Sequence, residues 1–417
     1  MKVCYIGDNR NRANFGCRAT SMALRDIIVQ YHEVSSTIYG DITERYTPWL
    51  YKGDIHVNKL TSYFRRVRNI FCPVKDDADF ITSDVKNTIA AFQKIHIKYS
   101  PLKELNDKIC DCEALMLNGE GSFMFRKEPK HEFWFYLFTL AYAQSLGKKT
   151  YVLNAMFTDG TASEQNVAAL QQAKEVFLKC TLVTARDELS YNYYIENIGE
   201  NVVYVPDALF SWTKYSSYNK LSQSFPLAGV VFPDDKWQWQ EFDFAKPYVA
   251  VSAASREFDN GDDEYIDQYV KMINSIRQKH NVIIVQTCGG EEFLKKVSYI
   301  TGVKIIDNRT NILYGMSVLA NAQCYVSGRW HPSILASLGG TPCVMLSSNS
   351  HKSAAIYREL KYNEADSHVY PNPPSDEDIR LIVEKVDYSI KNISRDKIKE
   401  SALQNSDKLH RYEQLLQ

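Results

Sequence analysis

No sign of charge predominates in this chain. It has 49 lysines and arginines against 50 aspartates and glutamates, a net charge of -1 over 417 residues. That balance excludes recruitment of nucleic acid or an anionic membrane by overall electrostatics, so an anionic ligand must be met by locally placed arginines. No apolar stretch approaches the ~20 residues of a transmembrane helix, and residues 1–8 read as a short strand rather than a signal peptide. The nine cysteines follow no zinc-pair spacing, and Cys110 and Cys112 stand too close for a structural metal site. Cys4, Cys288, Cys324 and Cys343 fall inside apolar runs, where a thiol packs as a small hydrophobe. The expectation is a reduced, cytoplasmic protein without a metal. The dinucleotide fingerprint and the P-loop are both missing, which argues against NAD and ATP. Internal repeats, low-complexity blocks and heptad runs are missing too.

What the chain does have is alternation. Apolar strand-like runs at 3–6, 114–117, 149–153, 182–185 and 202–205 are separated by helical patterns at 18–31, 132–145, 164–178 and 188–197, the third of these with Ser163 placed to cap it. The pattern lapses over a serine-rich stretch and restarts at 248. It continues through strands at 282–286, 303–307, 324–326 and 343–346, with helices between them. Such alternation predicts α/β architecture with parallel sheets covered by helices. The length exceeds one core's capacity, so two Rossmann-like domains facing a cleft are expected. The boundaries read as 1–225 for an N-terminal domain, 226–246 for a linker, and 247–385 for a C-terminal domain. A helical segment follows at 386–417, placed to pack back on the N-terminal domain.

The densest chemistry lies at Ser327-Gly328-Arg329-Trp330-His331-Pro332, between a strand and a helix. Open parallel sheets bind ligands at this carboxyl edge. An arginine there can hold phosphate or carboxylate by two parallel hydrogen bonds, and a histidine can move a proton near neutral pH. Arg256 follows the first strand of the same domain and makes a second anion contact. His351 and Lys352 open a helix after the next strand, where backbone amides favour phosphate. In the first domain, Asn14, Gly16, Asn118, Glu120 and Ser122 lie in glycine-bearing turns that let backbone approach a ligand.

These residues occur in an order that resembles the polysaccharide pyruvyl transferase family over roughly residues 3–360. The resemblance rests on Asn14-Phe15-Gly16, Gly119-Glu120-Gly121-Ser122, Ala185-Arg186-Asp187-Glu188-Leu189-Ser190 and Val205-Pro206-Asp207-Ala208-Leu209-Phe210 in the first domain. In the second it rests on the Arg329 to His331 unit, Gly340-Thr341-Pro342 and His351-Lys352. Cys17 and Glu120 depart from the family pattern, which usually has Asp and Gly there. The resemblance implies a GT-B-like fold, phosphoenolpyruvate as co-substrate with no other cofactor, and a sugar, oligosaccharide or lipid-linked glycan as acceptor. It implies transfer of the pyruvyl group as a cyclic ketal in the synthesis of a cell-surface polysaccharide, in the cytoplasm or at the inner face of the membrane. His331 and Arg329 would be catalytic, Arg256, Arg329, His351 and Lys352 would bind the donor on the second-domain side, and Asn14, Gly16, Asn118, Glu120 and Ser122 would meet the acceptor or line the cleft on the first-domain side. Arg186, Asp187 and Asp207 read mainly as helix-capping and salt-bridging residues. The alternatives are a GT-B glycosyltransferase using a nucleotide sugar, with Glu291 or Asp307 on the ribose, and a non-catalytic sugar-binding protein.

Overall fold

The structure is a computed structural model that describes residues 1–41, 46, 80–160, 164–215, 242–255 and 263–417. Two parallel sheets of six strands each organise the chain. The first is built from β1 (Lys2–Asp8), β2 (Glu33–Tyr39), β3 (Ala114–Met124), β4 (Lys149–Thr158), β5 (Leu182–Ala185) and β6 (Val202–Tyr204), ordered β2-β1-β3-β4-β5-β6. The second is built from β7 (Tyr248–Ala254), β8 (Asn281–Val285), β9 (Ile305–Ile306), β10 (Cys324–Gly328), β11 (Cys343–Leu346) and β12 (Val369–Tyr370), ordered β12-β11-β10-β7-β8-β9. Strands such as β7 and β11 are buried along their whole length, as parallel strands covered on both faces must be, and their unbroken apolar runs follow from that.

Chain order reverses between β1 and β3 in the first sheet and between β7 and β10 in the second. A crevice opens beyond the carboxyl ends of the strands at such a reversal. In the first domain α1 (Phe15–Ile28) leaves β1, capped by Asn14, whose side chain accepts from Cys17 N at 3.1 Å. That helix also joins the domains. Phe15 N donates to Thr287 O at 2.8 Å, and Arg18 donates to the carbonyls of Asn308 and Thr310 at 2.7 and 3.0 Å. A short 3₁₀ helix, Ala208–Tyr215, follows β6.

At the far end of the chain, α2 (Arg395–Lys408) begins on the second domain, where Arg395 donates to the carbonyls of Ala320, Ala322 and Gly339. It ends on the first, and Tyr412 in the following helix α3 (Arg411–Leu415) meets Thr184 Oγ1 at 3.1 Å. The C-terminal segment is thus a strap across both domains. The stretch that reads as a linker has most of its length outside the described residues.

Two local expectations need correction. Residues 118–122 do not leave the sheet as a glycine turn. β3 runs through them to Met124, with a register irregularity after Glu120, which adopts φ of 37°. Glu120 can hold that left-handed backbone because three side chains bond its carboxylate, as described below. The helix placed at 164–178 starts instead at Val167, because Asn166 supplies the cap. Ser163 lies outside the described residues.

Candidate active site

Arg329 occupies the turn between β10 and α4 (Trp330–Leu338), at the reversal point of the second sheet. Gly328 before it must stay small, since a Cβ there would come within 2.4 Å of Ala254 Cβ and 2.7 Å of Leu346 O. Arg329 Nε donates to Glu291 Oε1 at 2.6 Å, and Nη1 donates to Ser255 Oγ at 3.0 Å. Glu291 is itself buried and accepts from Thr287 N, Thr287 Oγ1 and Cys288 N. The guanidinium therefore stands in a fixed orientation, with its side chain 15% exposed toward the cleft.

His331, the second residue of α4, reaches the other domain. Its Nε2 lies 3.2 Å from Asp207 Oδ2 and 3.3 Å from Arg186 Nη1. A carboxylate only accepts and a guanidinium only donates, so Asp207 favours the tautomer carrying its proton on Nε2. Nδ1 then points to Gly16, where a Cβ would come within 2.6 Å of it. Gly16 keeps that nitrogen uncovered.

Asp207 is saturated. Oδ1 accepts from Thr20 Oγ1 at 2.9 Å and Leu209 N at 3.0 Å, while Oδ2 accepts from Trp330 Nε1 at 2.9 Å. Burial alone would raise its carboxyl, but the charge and hydrogen bond of His331 and the charge of Arg186 outweigh burial and hold it below the usual carboxylate range. A second pair stands beside the first, with His351 Nε2 3.1 Å from Asp187 Oδ1. Asp187 caps α5 (Glu188–Asn197) by accepting from Ser190 N and Ser190 Oγ, both at 2.8 Å. It too is lowered, its burial being outweighed by His351 and Arg186. Arg186 lies between the pairs, 3.9 Å from Asp187 and 3.7 Å from Asp207, with its guanidinium 5.1 Å from the Trp330 ring centroid. Both pairs join an acid of the first domain to a histidine of the second.

Lys352 opens the helix α6 (Lys352–Glu359) and donates to Asn349 Oδ1 at 3.2 Å. Its ammonium faces the first domain across the cleft, 3.8 Å from where a Cβ on Gly121 would sit. Withdrawal from water lowers its pKa to about 7, assisted by the nearby guanidiniums of Arg186 and Arg329.

The first-domain residues expected at the acceptor divide into two groups. Gly16, itself buried, faces the His331 ring and Ser122 is part-buried, whereas Asn118 and Glu120 are buried in a network. Asn9 Nδ2, Asn118 Nδ2 and Ser21 Oγ donate to Glu120 Oε1 at 2.8, 3.0 and 3.2 Å. Asn14 is held by its capping bond. Arg256 lies outside the described residues. Arg186, Asp187 and Asp207 stand beside the second-domain histidines, although they read in the sequence mainly as structural. The signal that would have found Arg186 is the one that marks Arg329, a charged residue directly after a buried strand, whereas Asp207 stands three residues past β6. Among the described residues no group of three or more His, Cys, Asp or Glu side chains is arranged to hold a metal. No helix there is long and apolar enough to cross a membrane.

The model of the family described as polysaccharide pyruvyl transferase matches residues 14–350, a span that holds Arg186, Asp187, Asp207, Arg329 and His331 and ends directly before His351 and Lys352. The chain belongs to that family. Among solved structures it is similar to UDP-GlcNAc 2-epimerase from Neisseria meningitidis bound to UDP-GlcNAc, with 11% identity and a TM-score of 0.55 over 96% of this chain and 94% of that one. It is also similar to the Methanocaldococcus jannaschii UDP-GlcNAc 2-epimerase in complex with UDP-GlcNAc and UDP, with 12% identity and a TM-score of 0.52 over 95% and 94%. These likenesses establish a two-domain, GT-B-like fold. No curated protein sequence matches.

Proposed function

We propose that the chain moves the pyruvyl group of phosphoenolpyruvate onto a sugar of a glycan or glycan precursor as a cyclic ketal, releasing phosphate. The reading is carried by the interdomain group of Asp207, His331 and Arg186, flanked by Arg329 and Lys352. A small molecule with one phosphate and one carboxylate suits guanidiniums and an ammonium placed on both sides of a proton-transfer group. Arg329 and Lys352 bind the two anionic ends, and His331, held by Asp207 through Nε2–H and carrying a second proton on Nδ1, gives the Nδ1 proton to the donor's methylene carbon. The adjacent carbon becomes electrophilic and one sugar hydroxyl adds to it. That hydroxyl's proton returns to His331, and a second hydroxyl then displaces phosphate, which takes up the second hydroxyl's proton as it leaves, closing the ketal. No further cofactor enters this scheme. The acceptor is a sugar, an oligosaccharide or a lipid-linked glycan of a cell-surface polysaccharide, met in the cytoplasm or at the inner face of the membrane.

A nucleotide-sugar donor is the second reading, since the solved epimerases were captured with UDP-GlcNAc. It would need an acidic residue open to a ribose. Glu291 is engaged by Thr287, Cys288 and Arg329, and Asp307 by Arg309 and Lys295, which favours the first reading. Thermal denaturation separates the two, because a ligand stabilises in proportion to its affinity for the fold. Phosphoenolpyruvate should raise Tm and UDP-sugars should not. The reverse pattern selects the nucleotide sugar, and a response to sugars alone selects a non-catalytic binder.

A further inference from the structure

At its far end α6 carries a carboxylate that the donor scheme does not use. Glu359, the last residue of that helix, is buried at the domain boundary. Its Oε1 accepts from Glu188 N at 3.1 Å, and its Oε2 accepts from the Tyr204 hydroxyl at 2.6 Å. Glu188 is the first residue of α5, so its amide is one of the donors that a helix start leaves without an intrahelical partner. A carboxylate is favoured at such a positive end and disfavoured at the negative end of its own helix. The Glu359 side chain therefore serves the first domain and not α6. Its main chain is held as well, since Asn405 of α2 donates to Glu359 O at 2.8 Å.

Both bonds land beside the groups that meet the histidines. Three consecutive residues of the first domain touch three residues of the second. Arg186 Nη1 lies 3.3 Å from His331 Nε2, Asp187 Oδ1 lies 3.1 Å from His351 Nε2, and Glu188 N lies 3.1 Å from Glu359 Oε1. The first two contacts are made by side chains, which can turn. The third is made by the backbone, and it fixes the point from which Arg186 and Asp187 reach. Tyr204, the other partner, ends β6 three residues before Asp207.

We propose that Glu359 is a positioning residue: it ties the start of α5 and the end of β6 to the second domain and so sets the register at which Asp207 meets His331 and Asp187 meets His351. Arg329 and Lys352 both belong to the second domain, so their spacing does not depend on this joint. The part played in proton transfer rests on the pyruvyl transfer reading, whereas the joint itself does not.

The charged groups around the carboxylate are Asp187 and Glu188 of the first domain and Lys408 of α2, with Arg411 of α3 on Tyr204 O at 2.7 Å and Arg358 before it in α6. Burial raises the Glu359 carboxyl from 4.5 to about 7, and the charge of Asp187 acts the same way, against the bonds from Tyr204 and Glu188 N and the charge of Lys408. The folded chain thus keeps a proton that the unfolded chain gives up. This group's contribution to stability falls as pH rises from 4.5 to about 7 and stays low above that.

The test compares Glu359→Ala, Glu359→Gln and Tyr204→Phe. Glutamine can accept from Glu188 N through its oxygen and donate to Tyr204 through its amide, so it keeps both bonds without the charge. Tyr204→Phe keeps the ring and removes one bond, and it probes the same joint if Glu359→Ala does not fold. Hydrogen exchange over residues 186–197 reads the joint without substrate. It should speed up in Glu359→Ala and Tyr204→Phe and return toward wild type in Glu359→Gln. With phosphoenolpyruvate and an acceptor, kcat should fall about tenfold in Glu359→Ala, as for loss of a hydrogen bond to a charged group, with the donor KM nearly unchanged and most of kcat recovered in Glu359→Gln. Between pH 5 and 8 the Tm of Glu359→Gln should rise relative to wild type, because only the wild type has a charge to bury. Wild-type exchange in both Glu359→Ala and Tyr204→Phe overturns the proposal. A lowered Tm with unchanged kcat also overturns it, since a merely structural residue would give that result, and so does a Tm difference that ignores pH. If exchange responds as expected but the wild type consumes no phosphoenolpyruvate, the joint stands and the donor reading fails.

Discussion

Two carboxylates hold the principal groups of the cleft, and they do so from opposite sides of the domain boundary. Glu291 belongs to the same domain as Arg329, and their bond forms when that domain folds. Asp207 comes from the other domain than His331, and their contact exists only when the domains are docked. Arg329 is therefore fixed from within one domain, while His331 is fixed by the docking of both. Asp187 and His351 repeat the second arrangement. The difference teaches that, in the proposed reaction, proton transfer and not donor capture is the step tied to interdomain geometry.

The sharpest way to break this comparison is Asp207→Asn. The amide cannot accept on both sides, so Trp330 Nε1 and His331 Nε2 lose a partner and Arg186 loses a counter-charge. Removing one member of a buried ion pair costs about 3–5 kcal/mol, and an unoriented acid–base group costs about 10²–10⁴-fold in rate. Urea denaturation and kcat should both fall in these ranges. Unchanged kcat would mean that Asp207 does not orient His331.

Glu291→Gln should do less. Arg329 keeps Ser255 and solvent, so the donor KM should rise by about tenfold with kcat largely spared. A loss of kcat equal to that of Asp207→Asn would erase the distinction between the two pairs.

The smallest expected effect is in pH. Lys352 is lowered to about 7, so it is charged below that pH and neutral above it. Donor affinity should fall as pH rises through 7, by at most tenfold per unit, and Lys352→Arg should flatten the profile between pH 6 and 8. Without ligand the sign is opposite. The fold binds fewer protons than the unfolded chain between about 7 and 10.4, so this group adds stability as pH rises through that window. A donor affinity independent of pH in the wild type would remove Lys352 from the donor site.

Much of the fold was legible because its strands are buried on both faces, which leaves apolar runs such as 248–251 and 324–326 unbroken. The passage through Glu120 was not, because a strand carrying glycines and a charge reads as a turn. Only the buried bonds from Asn9, Ser21 and Asn118 show why it stays in the sheet. Arg329 and His331 were legible from their place after a strand. The pairing of His331 with Asp207 was not, since the two are joined only by domain docking. Asp187 was legible as a helix cap, and its bond to Ser190 N fits that role. Its second role, against His351, depends on the other domain.

The central claim is that His331, held by Asp207 across the cleft, moves the proton in pyruvyl transfer from phosphoenolpyruvate. The most direct measurement compares wild type and His331→Ala, each incubated with phosphoenolpyruvate and galactose- and hexosamine-terminated acceptors, by mass spectrometry of the glycan. The wild type should add a pyruvyl group. The variant should lose about 10²–10⁴-fold in rate while still folding, with Tm lowered because Asp207 loses its buried partner. Near-wild-type turnover in His331→Ala, or no pyruvylation by the wild type with any acceptor, would contradict the account.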